Sequence, residues 1–496
     1  MSTTQATLDL IKASRQAPNN ELAKAWTQSN SAVSGITAYD LEGPAKQLYP
    51  VITPLRNKLP RVVGGVGIQA NWRAITGVNV NGLSIGLGQG NRGGVQSAAT
   101  KDFFAAFKGL GLDDNVTFEA DMAARGFDDM KALAVESLLR ATMIGEEFVI
   151  LGGNSSVSFG TTPTPSVSTA TTGGSLPAST AYSLIAVALS LEGVHNSSIA
   201  GGIPALVIRN NADGSTDSYG GGSAQKSASG TVTTGGGTAT NTVSGTVAPV
   251  TGAVGYAWFF GPAGSEVLTA ITTINSVLIT AAGTGTQTAA SLPASDNSTN
   301  DLIFDGFLSL AAKSGSNAYH YSMPTGTPGA GTPLTANGDG GIVEIDDALK
   351  SLWDNYKLSP SKIYVSSQEQ KNITAKILAS SANGTQRFTI DAKQGALAGG
   401  FVVRSYLNPY SMAGAVEIPI EIHPNLAPGT ILFFTEELPY PLSNVAAINQ
   451  MKLRRDYYQI EWPMVSRKYQ YGVYFDGVLQ SYAPFSLGVI TNIANG

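Results

Sequence analysis

Residues 127–154 read Phe-Asp-Asp-Met-Lys-Ala-Leu-Ala-Val-Glu-Ser-Leu-Leu-Arg-Ala-Thr-Met-Ile-Gly-Glu-Glu-Phe-Val-Ile-Leu-Gly-Gly-Asn, and they contain the clearest helix of the chain. Apolar side chains recur along this stretch at spacings of three or four, which is the period of one helix face. Asp128 and Asp129 lie in the predicted first turn, where carboxylates are favourable for the helix dipole. We therefore predict a long helix over Phe127–Phe148 that ends near the double glycine.

The segment that follows this helix has a different composition. Residues 161–299 carry seven charged side chains, whereas the whole chain of 496 residues has 30 basic and 35 acidic ones. The segment is rich in Thr, Ser, Gly, Ala and Val, with short alternating runs such as Tyr182–Leu189 and Tyr256–Phe260. This texture is typical of a β-sandwich with many turns, inserted between α/β flanks. A module inserted in this way is usually displayed outward by its host.

Within the insertion, Ala181–Ser190 and Thr251–Gly261 resemble the B and C strands of an immunoglobulin-like or fibronectin type III domain. The run Trp258-Phe259-Phe260 is interpreted as sandwich core rather than as a ligand platform. Thr272–Thr280 is predicted as a later strand, and the Gly-, Ser- and Thr-rich stretch Ser215–Thr246 as a mobile loop.

The chain before the helix reads as an arm followed by a long excursion. Short helices are predicted over 4–15 and 20–28, and four prolines between 44 and 60 exclude one continuous helix afterwards. Arg61–Val80 is predicted as a strand, residues 81–99 as a glycine-rich tip and Asn115–Ala120 as the return strand. Such a hairpin is marginal alone and needs a neighbour to lie on.

The α/β texture returns from Asp301. Leu302–Lys313 is predicted as a strand and short helix, and the long aromatic hairpin Tyr457–Pro484 closes the chain. Between them we predict helices over Ile345–Tyr356 and Gln368–Ser380, the second opened by a capping box at Ser366, and strands over Lys362–Val365, Gly400–Tyr406, Val416–Ile422 and Thr430–Phe434.

Charge and composition exclude several classes of protein. Charged residues make up 13% of the chain, about half the usual share. A surface so poor in charge suits burial against other subunits. The net charge of −5 gives no global signal for nucleic acid. Residues 1–61 carry a net +3, which fits either an ordinary solvated arm or a weak contact with packaged nucleic acid.

Targeting and redox signals are also informative. The chain has no cysteine, which excludes disulfides and thiolate metal sites. The first ten residues do not form a signal peptide, and no apolar run is long enough to span a membrane. We therefore expect synthesis and folding in a cytoplasm.

No catalytic, cofactor-binding or metal-binding residue is predicted. Gly82–Gly86 matches the nucleophile elbow G-x-S-x-G, but a glycine-rich loop follows Ser84 where a helix is required. Gly88–Gly93 matches G-x-G-x-x-G without the buried strand before it. The remaining candidates are interpreted as structural: three scattered histidines (His195, His320, His423) and five acidic pairs, taken as helix first turns and solvated edges (Asp113/Asp114, Asp128/Asp129, Glu146/Glu147, Asp346/Asp347, Glu436/Glu437).

The order of elements resembles the major capsid protein of tailed bacteriophages, which has the Hong Kong 97-like fold. The resemblance is carried by Tyr49–Arg61, by Phe127–Asn154, by Asp346–Ser380 and by the aromatic tail. It implies an α+β chain with these parts: N-terminal arm 1–60, extended loop 61–122, peripheral domain with spine helix 123–160, immunoglobulin-like insertion 161–299, return to the peripheral domain 300–340, axial domain 341–440, and C-terminal strands of the peripheral domain 441–496.

The resemblance also implies a function without catalysis. The chain would assemble into the hexamers and pentamers of an icosahedral head that encloses double-stranded DNA, and it would be located in the virion. Expected partners are a separate scaffolding protein, a portal and a cement or decoration protein. No cross-linking pair is marked. An encapsulin-type shell protein and a surface adhesin or S-layer subunit stay open as alternatives.

Overall fold

The computed structural model describes residues 48–124, 129–379, 390–391, 396–397, 402–412 and 414–494. The helices expected at 4–15 and 20–28, and most of the expected arm, lie outside the described residues.

The described residues form a mixed α+β structure, which confirms the expected class. Their helices are Pro54–Lys58 (α1), Phe118–Ala123 (α2), Met130–Gly152 (α3), Leu191–His195 (α4), Phe307–Ala312 (α5), Val343–Tyr356 (α6) and Ser367–Ala379 (α7). Their strands are Arg61–Val63 (β1), Gln69–Val78 (β2), Ala98–Ala106 (β3), Lys108–Thr117 (β4), Ser166–Ala170 (β5), Ala181–Leu189 (β6), Leu206–Asn210 (β7), Thr216–Gly220 (β8), Gly230–Thr233 (β9), Thr242–Thr246 (β10), Gly255–Gly261 (β11), Val267–Thr272 (β12), Ser276–Ile279 (β13), Tyr319–Ser322 (β14), Lys362–Val365 (β15), Ile390–Asp391 (β16), Ala396–Leu397 (β17), Ser405–Asn408 (β18), Val416–Ile422 (β19), Ile431–Phe434 (β20), Asn449–Trp462 (β21), Lys468–Ser481 (β22) and Gly488–Thr491 (β23).

The long helix α3 and a four-stranded sheet form the first part of the host. The Asp129 side chain accepts hydrogen bonds from the backbone of Lys131 and Ala132, at 3.1 and 3.2 Å, and so caps the start of α3. The sheet has the order β1-β21-β22-β4 and packs against α3. Strands β21 and β22 are the predicted aromatic hairpin, now confirmed. Their inward side chains, including Phe475, join Ile150 and Leu151 of α3 in one core.

The extended hairpin consists of β2 and β3, joined by residues 79–97. The prediction of Asn115–Ala120 as the return strand is wrong. Asn115 belongs to β4, which pairs with β22 instead. The Thr117 hydroxyl then accepts a hydrogen bond from the Ala120 backbone and starts α2, so the chain turns helical where a strand was expected.

A six-stranded sheet with the order β14-β23-β20-β15-β19-β18 forms the second part of the host. Helix α6 packs on it through a continuous apolar face, and the resulting core contains Ile345, Leu349, Ile363 and Phe433. Helix α7 starts as the sequence indicated, because the Ser366 hydroxyl accepts from the Glu369 backbone. Strands β14 and β23 pair with each other within this sheet. The resemblance had instead implied that their segments belong to the peripheral domain, together with the long helix.

The insertion contains two packed sheets, of three strands (β13-β10-β5) and four strands (β12-β11-β6-β9). Trp258 and Phe260 are buried between them, which confirms the aromatic run as core. The B and C assignment is wrong, because β6 and β11 are antiparallel neighbours in one sheet, whereas B and C strands belong to opposite sheets. The prediction of a mobile loop over 215–246 is also wrong. This stretch contains the strands β8, β9 and β10, because its threonines are favoured in strands.

Hydrogen bonds fix the two ends of the insertion side by side. The Asn154 carbonyl accepts from the Asn300 backbone at 2.7 Å, and the Asn154 side chain donates to the Ser298 carbonyl at 2.9 Å. The Asp305 carboxylate accepts from both the backbone and the hydroxyl of Ser155, each at 2.8 Å. The junction is therefore a rigid clamp rather than a flexible pair of linkers.

The insertion also packs against the host away from this junction. Leu191 of α4 is buried on Gly152 at the end of α3, where an added Cβ on the glycine would lie 2.3 Å from the leucine side chain. On another side, the backbone N–H of Asn275 in the insertion donates a hydrogen bond to Asn492 Oδ1 at 2.7 Å. The Asn492 amide donates back to Asn275 at 3.1 Å.

Candidate functional site: an anchored arm and an unpartnered hairpin

Among the described residues, the distal part of the extended hairpin packs on no intrachain core. Ile75 and Val78 are 71% and 73% exposed. The base of the hairpin is different, because Trp72 stacks on Phe103 with ring centroids 5.9 Å apart and meets the edge of Tyr482 at the same distance. The hairpin is therefore held at its base only.

The loop at the end of this hairpin continues the exposed surface. Ile85, Leu87 and Val95 are 95%, 62% and 90% exposed. A two-stranded ribbon is marginally stable in water, and contiguous exposed apolar surface marks an interaction site. This combination requires a neighbouring surface on which the hairpin can lie.

The arm segment just before the first strand is anchored by a carboxylate at its centre. Glu147 of α3 is completely buried and accepts three hydrogen bonds: from the Leu55 backbone at 2.9 Å, the Arg56 backbone at 2.7 Å and the His423 ring at 2.7 Å. The first two donors belong to the opening turn of α1, whose preceding residue Thr53 supplies no side-chain cap. The carboxylate of one helix thus caps another helix.

The preceding residue extends the anchor. Glu146 is also buried and accepts from Arg56 Nε at 2.8 Å, from an Arg61 terminal nitrogen at 2.6 Å and from the Tyr457 hydroxyl. The guanidinium carbons of both arginines lie 5.1 Å from the centroid of the Tyr457 ring. Arg61 also forms an ion pair with Asp456 at 2.7 Å. These partners satisfy the hydrogen-bonding capacity of the buried Glu146 carboxylate. Removing one of them would leave a buried charge without its partner, which destabilises the fold.

The pKa values around the anchor follow from these contacts. Burial disfavours the charged form of Arg61, but its hydrogen bond to Asp456 and the nearby charge of Glu146 outweigh that effect and raise its pKa. Burial would also raise the pKa of Asp456, and the Arg61 hydrogen bond lowers it instead. Burial and the charge of Glu146 raise the pKa of the Tyr457 hydroxyl. At neutral pH these pKa directions therefore keep Arg61 and Asp456 charged and the Tyr457 hydroxyl neutral.

Residues 48–52, just before the anchor, are exposed. Leu48, Tyr49 and Ile52 are 91%, 73% and 56% exposed, although all three are apolar or aromatic. Apolar side chains on both the arm and the hairpin thus face away from the subunit, while the anchor holds the root of the arm in place.

No model of a known protein family matches the chain, and no curated protein matches its sequence. Its structure is similar to solved structures of capsids. The capsid of a native GTA particle has a TM-score of 0.43 and 8% identity, covering 95% of this chain and 100% of that one. The cyanophage A-1(L) capsid has a TM-score of 0.41 and 10% identity, covering 92% and 97%. The satellite phage P4 procapsid, solved with the size determination protein Sid, has a TM-score of 0.36 and 7% identity, covering 100% and 99%. At these values the likeness carries no function over to this chain.

The motif matches found in the sequence lie on the exposed loop of the hairpin. Gly82–Gly86 and Gly88–Gly93 both fall between β2 and β3, with no helix after Ser84 and no buried strand before Gly88. His195 packs on Phe148 with ring centroids 5.0 Å apart, and His423 belongs to the arm anchor.

One interpretation of the sequence is wrong at this site. Glu146 and Glu147 were taken as a solvated pair, and they are the two buried acceptors of the anchor. The signal was present, because these two carboxylates lie in the apolar stretch that ends α3. Their partners Arg56 and Arg61 lie in the proline-rich arm, and only the fold brings them together.

Among the described residues, no group of three or more His, Asp or Glu side chains is arranged to hold a metal ion. None of the described helices is both long and apolar enough to cross a lipid bilayer.

Proposed function

We propose that this chain is the major capsid protein of a tailed bacteriophage, a subunit that assembles with copies of itself into an icosahedral shell around double-stranded DNA. The observation that carries the proposal is the extended hairpin, whose distal half exposes Ile75 and Val78 with no partner among the described residues of the chain. A free monomer would gain nothing from this surface. A closed shell of identical subunits covers every such surface with a neighbour.

The parts of the chain take mechanical roles in this proposal. The hairpin lies over an adjacent subunit, and the arm extends along another. The anchor at Glu146 and Glu147 holds the arm on α3 when the arm contacts that neighbour. The six-stranded sheet surrounds the hexamer and pentamer axes as the axial domain. The low charge of the chain supports extensive burial between subunits. No residue has a catalytic role.

The insertion is proposed as an immunoglobulin-like domain on the outer face. Two packed sheets with three and four strands support this assignment, although the order of strands departs from the expected B and C positions. A separate scaffolding protein, a portal and a cement protein are the proposed partners. The net positive charge of residues 1–61 supports a non-specific contact with the packaged DNA.

Electron microscopy of the chain tests the proposal directly. The chain is expressed alone and together with its neighbouring genes, and the particles are imaged in negative stain. We expect icosahedral shells or curved fragments with knobs on the outer face. A dispersed monomer under every condition would refute the proposal, and an adjacent cargo-enzyme gene with packaged enzyme would favour an encapsulin.

A further inference from the structure

A deep groove lies between the insertion and the four-stranded sheet of the host. Its volume is about 1180 Å³, and its two walls come from distant parts of the chain. One wall is the face of β4, β21 and β22 that points away from α3. The other is the turn between β7 and β8, residues 209–213, which projects from the insertion over the sheet. Neither the insertion nor the host alone would form this groove.

The floor of the groove is aromatic and flat because two glycines lie beneath the rings. Tyr474 covers Gly111 and Gly472, and a Cβ added at these glycines would lie 2.3 and 2.4 Å from its ring atoms. Tyr458 lies beside it with ring centroids 5.9 Å apart, and Trp462 continues the floor with 41% of its surface exposed. Tyr474 and Trp462 therefore present ring surface to solvent, whereas the Arg455 guanidinium covers one face of Tyr458, 4.2 Å from the ring centroid.

The rim of the groove is acidic. Asp113 accepts the hydroxyl hydrogen bond of Tyr474, Asp114 lines the same wall, and Asp213 lines the opposite wall. Two cations lie at the groove: Arg209 is paired with Asp217 at 2.5 Å, and Arg455 lies against the Tyr458 ring. Ring faces beneath excess carboxylates attract a guanidinium or an ammonium group and repel phosphate.

The extended hairpin carries a group of this chemistry at its end. In residues 79–97 the only charged side chain is Arg92, which is exposed and makes no ion pair with a described residue. Six glycines make this loop slender. Strand β2 has ten residues and extends roughly 33 Å, so the loop lies well away from the anchored base.

We infer that the groove receives the hairpin loop of a second copy of this chain, with Arg92 placed over the rings of Tyr474 and Trp462 and facing the acidic rim. Exposed apolar side chains match on both surfaces, with Ile85 and Leu87 on the loop and Leu112 and Val465 at the groove. This inference rests on the proposed assembly and gives the insertion a part in it. The insertion completes the acceptor site for the neighbour.

Disulfide trapping tests this contact cleanly because the chain has no cysteine of its own. The test variant combines Asn91→Cys, next to Arg92, with Asn210→Cys on the groove wall. The matched control combines Asn91→Cys with Leu278→Cys, an exposed position of the insertion outside the groove. Both are assembled, oxidised and run on a non-reducing gel. We expect a ladder of linked subunits from the test variant and monomer from the control.

Charge reversal provides a second measurement. Arg92→Glu and Asp213→Lys should each raise the protein concentration needed for assembly by roughly tenfold, and the double variant should recover most of the loss. Particles that form normally without cross-links and without a charge effect would overturn the groove contact and leave the capsid proposal intact. Failure of the unmodified chain to assemble at all would overturn both.

Discussion

Replacing Glu147 tests the arm anchor, and its effect can be worked out from the three hydrogen bonds. Glu147→Ala leaves the backbone donors of Leu55 and Arg56 and the ring of His423 facing a cavity in the protein. Each unsatisfied buried donor costs about 1–3 kcal/mol. Partial access of water at Arg56 reduces the sum. We expect a loss of about 3–5 kcal/mol in the free energy of unfolding.

Glu147→Gln should have a smaller effect for a specific reason. Both Leu55 and His423 donate to the same oxygen, Oε1, which the amide keeps as its acceptor. The Arg56 backbone donates to the other oxygen, Oε2. In the glutamine variant an amide nitrogen takes the place of Oε2, so two hydrogen-bond donors would face each other there. We expect a loss of about 1–3 kcal/mol, between that of alanine and the wild type.

Urea denaturation of the unassembled subunit measures both variants, and tryptic cleavage after Arg56 and Lys58 reports release of the arm directly. The control is Glu136→Ala on the same helix, where an exposed pair with Arg140 is worth about 0.3–0.5 kcal/mol. If Glu147→Ala were no more destabilising than Glu136→Ala, and cleavage after Arg56 no faster, the anchor would have no mechanical role.

Three further changes test other parts of the structure. Ile75→Ser combined with Val78→Ser should change the stability of the isolated subunit by less than about 0.5 kcal/mol, because both side chains are exposed, yet should abolish assembly as measured by light scattering. Loss of subunit stability instead would show that the hairpin already has a core. Asp305→Asn should destabilise the insertion junction by about 1–3 kcal/mol at pH 7. Burial would raise the pKa of Asp305, but hydrogen bonds from two serines and the charge of Lys313 hold it below its usual value. Its stabilising contribution is therefore full above about pH 4 and is lost as the pH falls further, so acid denaturation curves of the variant should be flatter below pH 4. Gly145→Ala should raise stability by about 0.5–1 kcal/mol in thermal denaturation, because a Cβ there meets nothing within 4 Å on helix α3. A lower melting temperature would mean that this face of the helix is covered.

Local sequence patterns predicted the parts of the fold that local physics determines. Helix α3 has a repeating apolar face and an aspartate cap, and the short strand Lys362–Val365 contains the strand-favouring residues Ile363, Tyr364 and Val365. The capping serine at 366 marked the start of α7. In each case the residues that decide the structure lie within one turn or one strand of each other.

Pairing between distant segments could not be predicted in this way. Strand β4 was taken as the return of the hairpin because it follows in sequence, but its partner β22 lies more than 350 residues away. Strand β23 joins the six-stranded sheet for the same reason. The stretch 215–246 reads as a loop by composition, and its strands become stable only when sheets pack over Trp258. Glu146 and Glu147 were interpreted as solvent-facing, because the sequence alone does not show that the arm covers them.

The two ends of the insertion lie against each other, which invites its removal as a cassette with a short bridge from Asn154 to Asn300. The asparagine pair predicts what would follow. Asn492 lies among the last described residues, in a left-handed conformation with φ of 64°. Excision of the insertion would remove Asn275, the hydrogen-bond partner of Asn492. It would also remove Leu191 and so expose Gly152 at the end of α3. A shortened chain would therefore need two replacement contacts in the host: a hydrogen-bond partner for Asn492 and an apolar side chain that covers the end of α3. Any foreign domain grafted between these ends would have to bring both.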